Sequence, residues 1–173
     1  MPVVVLDTET SGACTPQGKA SVIEVGAVVL TENGEELGSF SCFVKPLHPL
    51  GSWSYHAMRV NQIDPVLLDR APLAPAVWSA LLDWMALHKP ITAVLAFNLP
   101  FDQAAMAKSF PDSSLLPWGP CLMRSASEVL SGTRASIKLV TAAKALGIPV
   151  DDTDTHRALY DARLAGKVYR ALL

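Results

Sequence analysis

The sequence has 173 residues, 50% hydrophobic and 17% charged, which fits one globular domain over residues 1–173 and excludes wholesale disorder. No apolar run reaches the about 18–20 residues of a membrane span, and the N-terminus lacks a secretory pattern, so we expect a cytoplasmic protein with no membrane partner. The net charge of −2 excludes binding of long duplex nucleic acid through a basic surface, but it allows binding of a short strand or an end.

The first half of the chain predicts three consecutive strands. Residues 3–6 are a β-branched run typical of a buried strand. A second strand is predicted over 22–30, and Asn33-Gly34 marks the turn into a returning strand over 38–45. The segment 47–65, rich in proline, glycine and aromatic residues, is predicted to be a loop.

Helices and a strand alternate in the second half. Amphipathic spacing and proline in a first turn predict helices over 74–88, 100–110 and 157–173, with a short apolar strand over 91–97. Gly147 and Pro149 mark the end of a further helix, and 151–155 is predicted to be a solvated loop. This order favours an α/β protein with a mixed sheet covered by helices.

Four acidic residues lie beside elements that are predicted to be buried. Asp7 and Glu9 are two residues apart at the end of the first strand, so they point to the same side of the sheet. Asp102 follows the strand over 91–97 within the first turn of a helix. Asp161 lies beside the apolar stripe of the last helix. Carboxylates in such places are costly unless they are paired or bind a metal.

One histidine completes this set. His156 precedes Asp161 by five residues, which places it at or before the start of the last helix. Carboxylate oxygens are preferred by Mg²⁺ and Mn²⁺, and a histidine accepts a proton from water near neutral pH. The residues therefore predict hydrolysis of a phosphodiester with two divalent cations, Mg²⁺ or Mn²⁺.

Three segments, "DTETSG", "FNLPFD" and "HRALYDA", occur in an order that resembles the DEDDh 3′–5′ exonucleases. That family includes the proofreading epsilon subunit of bacterial DNA polymerase III, exonuclease X, RNase T and oligoribonuclease. The segments "VIEVGAVVL", "CFVKP" and "YHAMRVNQI" extend the resemblance over nearly the whole chain. It implies an RNase H-like fold, with a five-stranded mixed sheet flanked by helices. It also implies removal of nucleoside monophosphates from the 3′ end of a single strand, with DNA slightly favoured.

The resemblance also implies a role for each of the five site residues. Asp7, Glu9 and Asp161 would hold the tighter metal. Asp7 would bridge to a second metal, which Asp102 would hold. His156 would be the general base.

Further residues are implied to bind substrate. Thr10 and Asn98 would contact the terminal nucleotide, and the region 56–58 would pack against its base. The complete implied set is Thr8, Thr10, His56, Met58, Asn98 and Phe101.

Some alternatives stay open. Phe97 stands where the family commonly has histidine, which affects how the strand end is held and which sugar is preferred. An RNA-trimming exoribonuclease and a catalytically weak nucleic-acid-binding module are the competing functions. A polymerase or other protein partner is possible, and the sequence does not predict an oligomeric state.

Two features have an alternative structural explanation. Glu24 is predicted to be a structural acid, facing the open side of its strand or bonding locally, rather than a metal ligand. The aromatic residues Trp53, Tyr55 and His56 could stack on an unpaired base, or they could anchor their own loop.

Overall fold

The computed structural model describes residues 1–15, 17–151 and 156–173, so most of the predicted loop 151–155 lies outside the described residues. Its centre is a five-stranded sheet in the order β3-β2-β1-β4-β5. The strands are β1 (Val3–Thr10), β2 (Val22–Leu30), β3 (Glu36–Phe43), β4 (Val94–Ala96) and β5 (Trp118–Cys121). The first three pair antiparallel, and β1, β4 and β5 pair parallel. The predicted mixed sheet is confirmed.

Helices cover both faces of this sheet. Those in the described residues are α1 (Tyr55–Asn61), α2 (Pro65–Asp69), α3 (Ala74–Ala86), α4 (Leu99–Ser109), α5 (Leu122–Ser131), α6 (Leu139–Ala145) and α7 (Ala158–Ala171). None of the helices described is long and apolar enough to cross a membrane.

The prediction of a loop over 47–65 is wrong, because that segment contains α1 and the start of α2. Both helices are too short to show an apolar period, and local contacts hold them instead. The Asp64 carboxylate accepts a hydrogen bond from the Val66 amide at 2.9 Å, with Pro65 in the first turn. Ile63 and Leu68 pack against Ile23 of β2. An N-terminal cap and one apolar cluster therefore stabilise this segment, which has no amphipathic periodicity from which its helices could be predicted.

Alternate side chains of β1 enter two separate cores, because successive residues of a strand face opposite sides of the sheet. Val4 and Leu6 join the cluster under α3 and α4. Val3 and Val5 join the cluster under α5, α6 and α7. The same alternation, continued past Leu6, directs Asp7 and Glu9 toward the α7 side of the sheet.

Gly26 of β2 lets α7 approach the sheet closely. A Cβ atom at this position would lie 2.2 Å from the carbonyl carbon of Ala158 and 2.2 Å from the amide nitrogen of Leu159. The neighbouring atoms are helix backbone, so a side chain at position 26 would push the start of α7 away. This contact determines the distance between Asp161 on α7 and the carboxylates of Asp7 and Glu9 on β1.

Replacing Gly26 with alanine is expected to lower the free energy of unfolding by about 1–3 kcal/mol or more, because overpacking against backbone forces a helix shift. Gly51→Ala is the matched control, since its Cβ would meet the Trp53 ring at an ordinary 3.5 Å; its effect should stay within about 0.5 kcal/mol. Urea unfolding of both variants measures the difference. Equal effects would show that α7 does not rest on Gly26.

Candidate active site

The four acids predicted from the sequence converge at the carboxyl end of β1. Asp7 and Glu9 come from β1 itself, Asp102 from the first turn of α4 and Asp161 from the first turn of α7. Their charges act on one another: Asp102, Asp161 and Glu9 all disfavour ionisation of Asp7. Residues up to 154 positions apart in the chain, counted from 7 to 161, therefore share one site.

Glu9, His156 and Asp161 form the tightest part of this site. One ligand atom from each lies within 4.8 Å of the others. The His156 amide donates a hydrogen bond to the Asp161 carboxylate at 3.2 Å. His156 has a φ of 69°, in the left-handed region that non-glycine residues seldom adopt. The predicted position of His156, just before the last helix, agrees with the structure.

Asp102 is hydrogen-bonded to Thr8, whose side chain lies on the face of β1 opposite to that of Asp7 and Glu9. The amide and the hydroxyl of Thr8 both donate to Asp102 Oδ1, at 3.1 and 2.8 Å. Both residues are buried, with Asp102 only 2% exposed. The Thr8 side chain thus positions an acid, and its assignment to substrate binding stays a prediction.

Burial makes these acids hard to ionise. It raises the pKa of Asp7 well above its ordinary value, and the charges of Asp102 and Asp161 raise it further. Burial, aided by Asp161 and Glu24, raises the pKa of Glu9 to about 8. Burial also raises the pKa of Asp102 to about 7, although the hydrogen bonds from Thr8 act in the opposite direction.

Asp161 follows the same trend. Burial raises the pKa of its carboxyl, and the His156 amide, as a hydrogen-bond donor, partly opposes this shift. Burial and mutual repulsion outweigh the nearby charges of Arg157 and His156, so the ionised form of these carboxyls is disfavoured. Hard divalent cations prefer such oxygen donors, so the donor set fits Mg²⁺ or Mn²⁺.

Two clefts flank the acids. The first, which we call the His156 cleft, has a volume of about 610 Å³. It is lined by Phe97, Asn98, Met123, Ser136, Ile137, Lys138, Leu139, Val140, His156 and Asp161. The second, the Glu9 cleft, has a volume of about 420 Å³ and is lined by Glu9, Thr10, Gly12, Ala13, Trp53, His56, Ala57, Val60, Asn61 and Phe101.

The substrate-binding residues expected from the resemblance divide between these places. Thr10, His56 and Phe101 line the Glu9 cleft, whereas Asn98 lines the His156 cleft. Met58 packs against the buried cluster around Ile23. The roles of all these residues in binding stay predictions.

The aromatic residues Trp53, Tyr55 and His56 lie in different environments. Trp53 and His56 line the Glu9 cleft, while Tyr55 is 65% exposed and the Arg59 guanidinium lies 5.9 Å from its ring centroid. Phe97 is buried and packs in the α5–α7 core, so an apolar side chain forms part of the wall of the His156 cleft.

The prediction that Glu24 faces the open side of its strand or bonds locally is wrong, and its structural role stays a prediction. It is 1% exposed rather than facing an open side. Its partner is Arg157, 133 positions away, with the guanidinium Nη2 donating to Oε1 at 2.8 Å. Sequence reasoning missed this pair, and it also missed Ser136 and Lys138, which line the His156 cleft. The acid within the apolar run 22–30 is the one signal that pointed to a buried partner.

Comparisons with known proteins agree with this geometry. The family model RNase_T, described as an exonuclease, matches residues 4–169. A protein of Mycobacterium tuberculosis named as a bifunctional exonuclease/endonuclease is 30% identical over 98% of this chain, which spans 26% of that protein. The chain thus covers about a quarter of the length of this curated relative.

Solved structures share the fold. The nuclease domain of 3′hExo, a DEDDh family member bound to rAMP, has a TM-score of 0.77 at 20% identity, covering 98% of this chain and 90% of that one. Exonuclease X in complex with 5′ overhanging duplex DNA has a TM-score of 0.67 at 20% identity, with coverage of 98% and 90%. E. coli exonuclease I in complex with an oligonucleotide has a TM-score of 0.72 at 16% identity, with coverage of 98% and 40%. The resemblance to DEDDh exonucleases and the RNase H-like fold are confirmed.

The metal-free protein is expected to lose stability as the pH rises from about 5 to about 9. The folded protein keeps protons that the unfolded chain releases, since the pKa of Glu9 lies near 8 instead of its ordinary 4.5, so stability falls over this window by on the order of 2 kcal/mol or more. Thermal and urea unfolding in EDTA measure this slope.

Two comparisons check the origin of that slope. Mg²⁺ or Mn²⁺ should restore stability at the alkaline end, and Asp7→Asn, which removes one of the repelling charges, should flatten the slope in EDTA. Metal-free stability that is constant or increases from pH 5 to 9 would contradict the repulsion among these acids.

Proposed function

The chain belongs to the RNase_T exonuclease family, and from this premise we propose that it is a metal-dependent 3′–5′ exonuclease of single-stranded nucleic acid, with DNA slightly favoured. A single exonuclease domain, residues 1–173, carries out this reaction, and its products are nucleoside monophosphates. The observation that carries the proposal is the convergence of Glu9, His156 and Asp161 within 4.8 Å, beside the partly buried Asp7 and the buried Asp102.

The acids divide into two sets of metal ligands. Asp7, Glu9 and Asp161 would hold the tighter cation, and Asp7 and Asp102 would hold the second. Two Mg²⁺ or Mn²⁺ ions would supply Lewis-acid activation of water and charge compensation at the attacking and leaving oxygens. Thr8 keeps Asp102 directed at this position through its two hydrogen bonds.

His156 acts as the general base. Its ring takes a proton from the attacking water as the water oxygen bonds to phosphorus and the bond from phosphorus to the 3′ oxygen of the preceding nucleotide breaks. The leaving 3′ oxygen takes a proton from solvent, so the products are a nucleoside 5′-monophosphate and a strand shortened by one nucleotide with a new 3′ hydroxyl. The hydrogen bond from the His156 amide to Asp161 at 3.2 Å fixes the backbone from which the ring reaches the water.

The Glu9 cleft receives the terminal nucleotide. Thr10 contacts this nucleotide, while His56 and Phe101 pack against its base on the wall that they form with Trp53. Met58, on the same helix as His56, belongs to the same base-packing region. Asn98, which lines the His156 cleft, contacts the same nucleotide.

An RNA-trimming 3′–5′ exoribonuclease is the second candidate. The observation that favours it is the likeness to 3′hExo, whose nuclease domain is bound to rAMP. A catalytically weak binding module is disfavoured because Asp7, Glu9, Asp102, His156 and Asp161 are all present. We further propose a cytoplasmic location and a polymerase or another protein as a partner.

The direct test is degradation of 5′-labelled single-stranded DNA, duplex DNA and short RNA with Mg²⁺ or Mn²⁺. We expect a ladder shortened stepwise from the 3′ end and no cleavage in EDTA. Asp7→Ala and His156→Ala should each lower activity by about 10²-fold or more, since each removes a group that acts on the reacting atoms.

Asp83→Ala is the control variant, because α3 carries this exposed residue outside both clefts; its activity should match that of the unaltered protein. Undiminished cleavage in EDTA would overturn the metal requirement. Faster turnover of RNA than of DNA would favour the second candidate.

A further inference from the structure

Glu24 is a buried acid beside the active site that the proposed reaction does not use. It lies on β2 directly across from Glu9, since these two residues are partners in the antiparallel register. It is only 1% exposed, and it is not part of the group formed by Glu9, His156 and Asp161. A buried carboxylate needs a charged or hydrogen-bonding partner.

Among the described residues, its hydrogen-bond partners belong to the start of α7. The Arg157 guanidinium donates to both carboxylate oxygens, from Nε to Oε2 at 3.1 Å and from Nη2 to Oε1 at 2.8 Å. The Ala158 amide, at the first position of the helix, donates to Oε2 at 3.3 Å. The guanidinium also lies 5.2 Å from the centre of the Phe43 ring on β3. One carboxylate thus ties two consecutive residues to the sheet.

These two residues sit between the base and the acid of α7. Arg157 follows His156 directly, and its carbonyl accepts a hydrogen bond from the Asp161 amide at 3.0 Å. The His156 amide in turn donates to the Asp161 carboxylate. His156 holds a φ of 69°, a conformation that persists only where the surrounding structure determines it. The anchored Arg157 and Ala158 provide that constraint on its C-terminal side.

We propose, on the basis of the exonuclease function above, that Glu24 is a positioning residue that holds His156 and Asp161 beside Glu9 by fixing Arg157 and the first turn of α7. It touches neither substrate nor metal. Its second effect is to keep Arg157 engaged, because a guanidinium released from Glu24 would face Glu9, the adjacent carboxylate in the strand register. An ion pair with Glu9 would compete with metal binding there.

Glu24→Gln tests this role, because the amide keeps nearly the same shape and removes the charge. We expect kcat on a single-stranded oligonucleotide to fall by about 10–100-fold, the range found for residues that orient metal ligands. KM for the oligonucleotide should stay within about two-fold, since no contact with substrate is lost. Mn²⁺ affinity, measured by calorimetry without substrate, should fall in parallel.

Glu36→Gln is the matched control. Glu36 on β3 binds Arg163 of the same helix with two guanidinium donors, Nη2 lying 2.8 Å from Oε1, but this pair is exposed and lies outside the site. Its kcat, KM and Mn²⁺ affinity should equal those of the unaltered protein.

Arg157→Met provides a second route that does not depend on altering the buried residue, since the Arg157 side chain is 48% exposed. It should lower kcat and Mn²⁺ affinity as Glu24→Gln does, and the double variant should lose no more than the worse single variant. Hydrogen exchange at the amides of residues 157–161 should accelerate in both single variants.

The outcomes separate this inference from the proposed function. If the unaltered protein cleaves DNA and both variants keep its kcat and Mn²⁺ affinity, with only the melting temperature lowered, Glu24 is merely structural and the inference is overturned. If the unaltered protein cleaves no substrate, the proposed function fails. In that case unchanged Mn²⁺ affinity and unchanged exchange in the variants would overturn the inference independently.

Discussion

Repulsion among carboxylates that are buried or partly buried at the carboxyl end of β1 is the constraint on which the site depends. Asp7, Glu9, Asp102 and Asp161 come from three different elements, and burial disfavours ionisation of each. A cation that compensated them would also join β1, α4 and α7. Under the proposed function, metal binding and ordering of these elements would therefore be coupled, because the free energy of one contributes to the other.

The scaffold makes this arrangement possible through the two faces of β1. One face carries Thr8, which fixes Asp102 from the α4 side. The other carries Asp7 and Glu9, which meet α7 where Gly26 allows the helix to touch β2. Hydrogen bonds on one face of β1 thus position Asp102, and close backbone packing on the other face positions Asp161. Both acids therefore lie near Asp7 and Glu9. The two clefts that flank this place leave room for a strand end on either side.

Much of this could be predicted from the sequence. The spacing of Asp7 and Glu9 predicts a shared side of the strand, and the apolar stripe of α7 predicts an inward-facing Asp161. Partners far apart in the chain could not be predicted, such as Glu24 and Arg157, since a single sequence contains no signal that pairs them. The strand β5 could not be predicted from hydrophobic periodicity, because its sequence, "WGPC", contains a glycine and a proline and is only four residues long.

Anomalous diffraction from a crystal grown with Mn²⁺ and a nucleoside monophosphate tests the central claim most directly. The account predicts two manganese peaks about 3.5–4 Å apart, enclosed by the carboxylates of Asp7, Glu9, Asp102 and Asp161. A crystal that contains Mn²⁺ and shows no peak among these four side chains would contradict it.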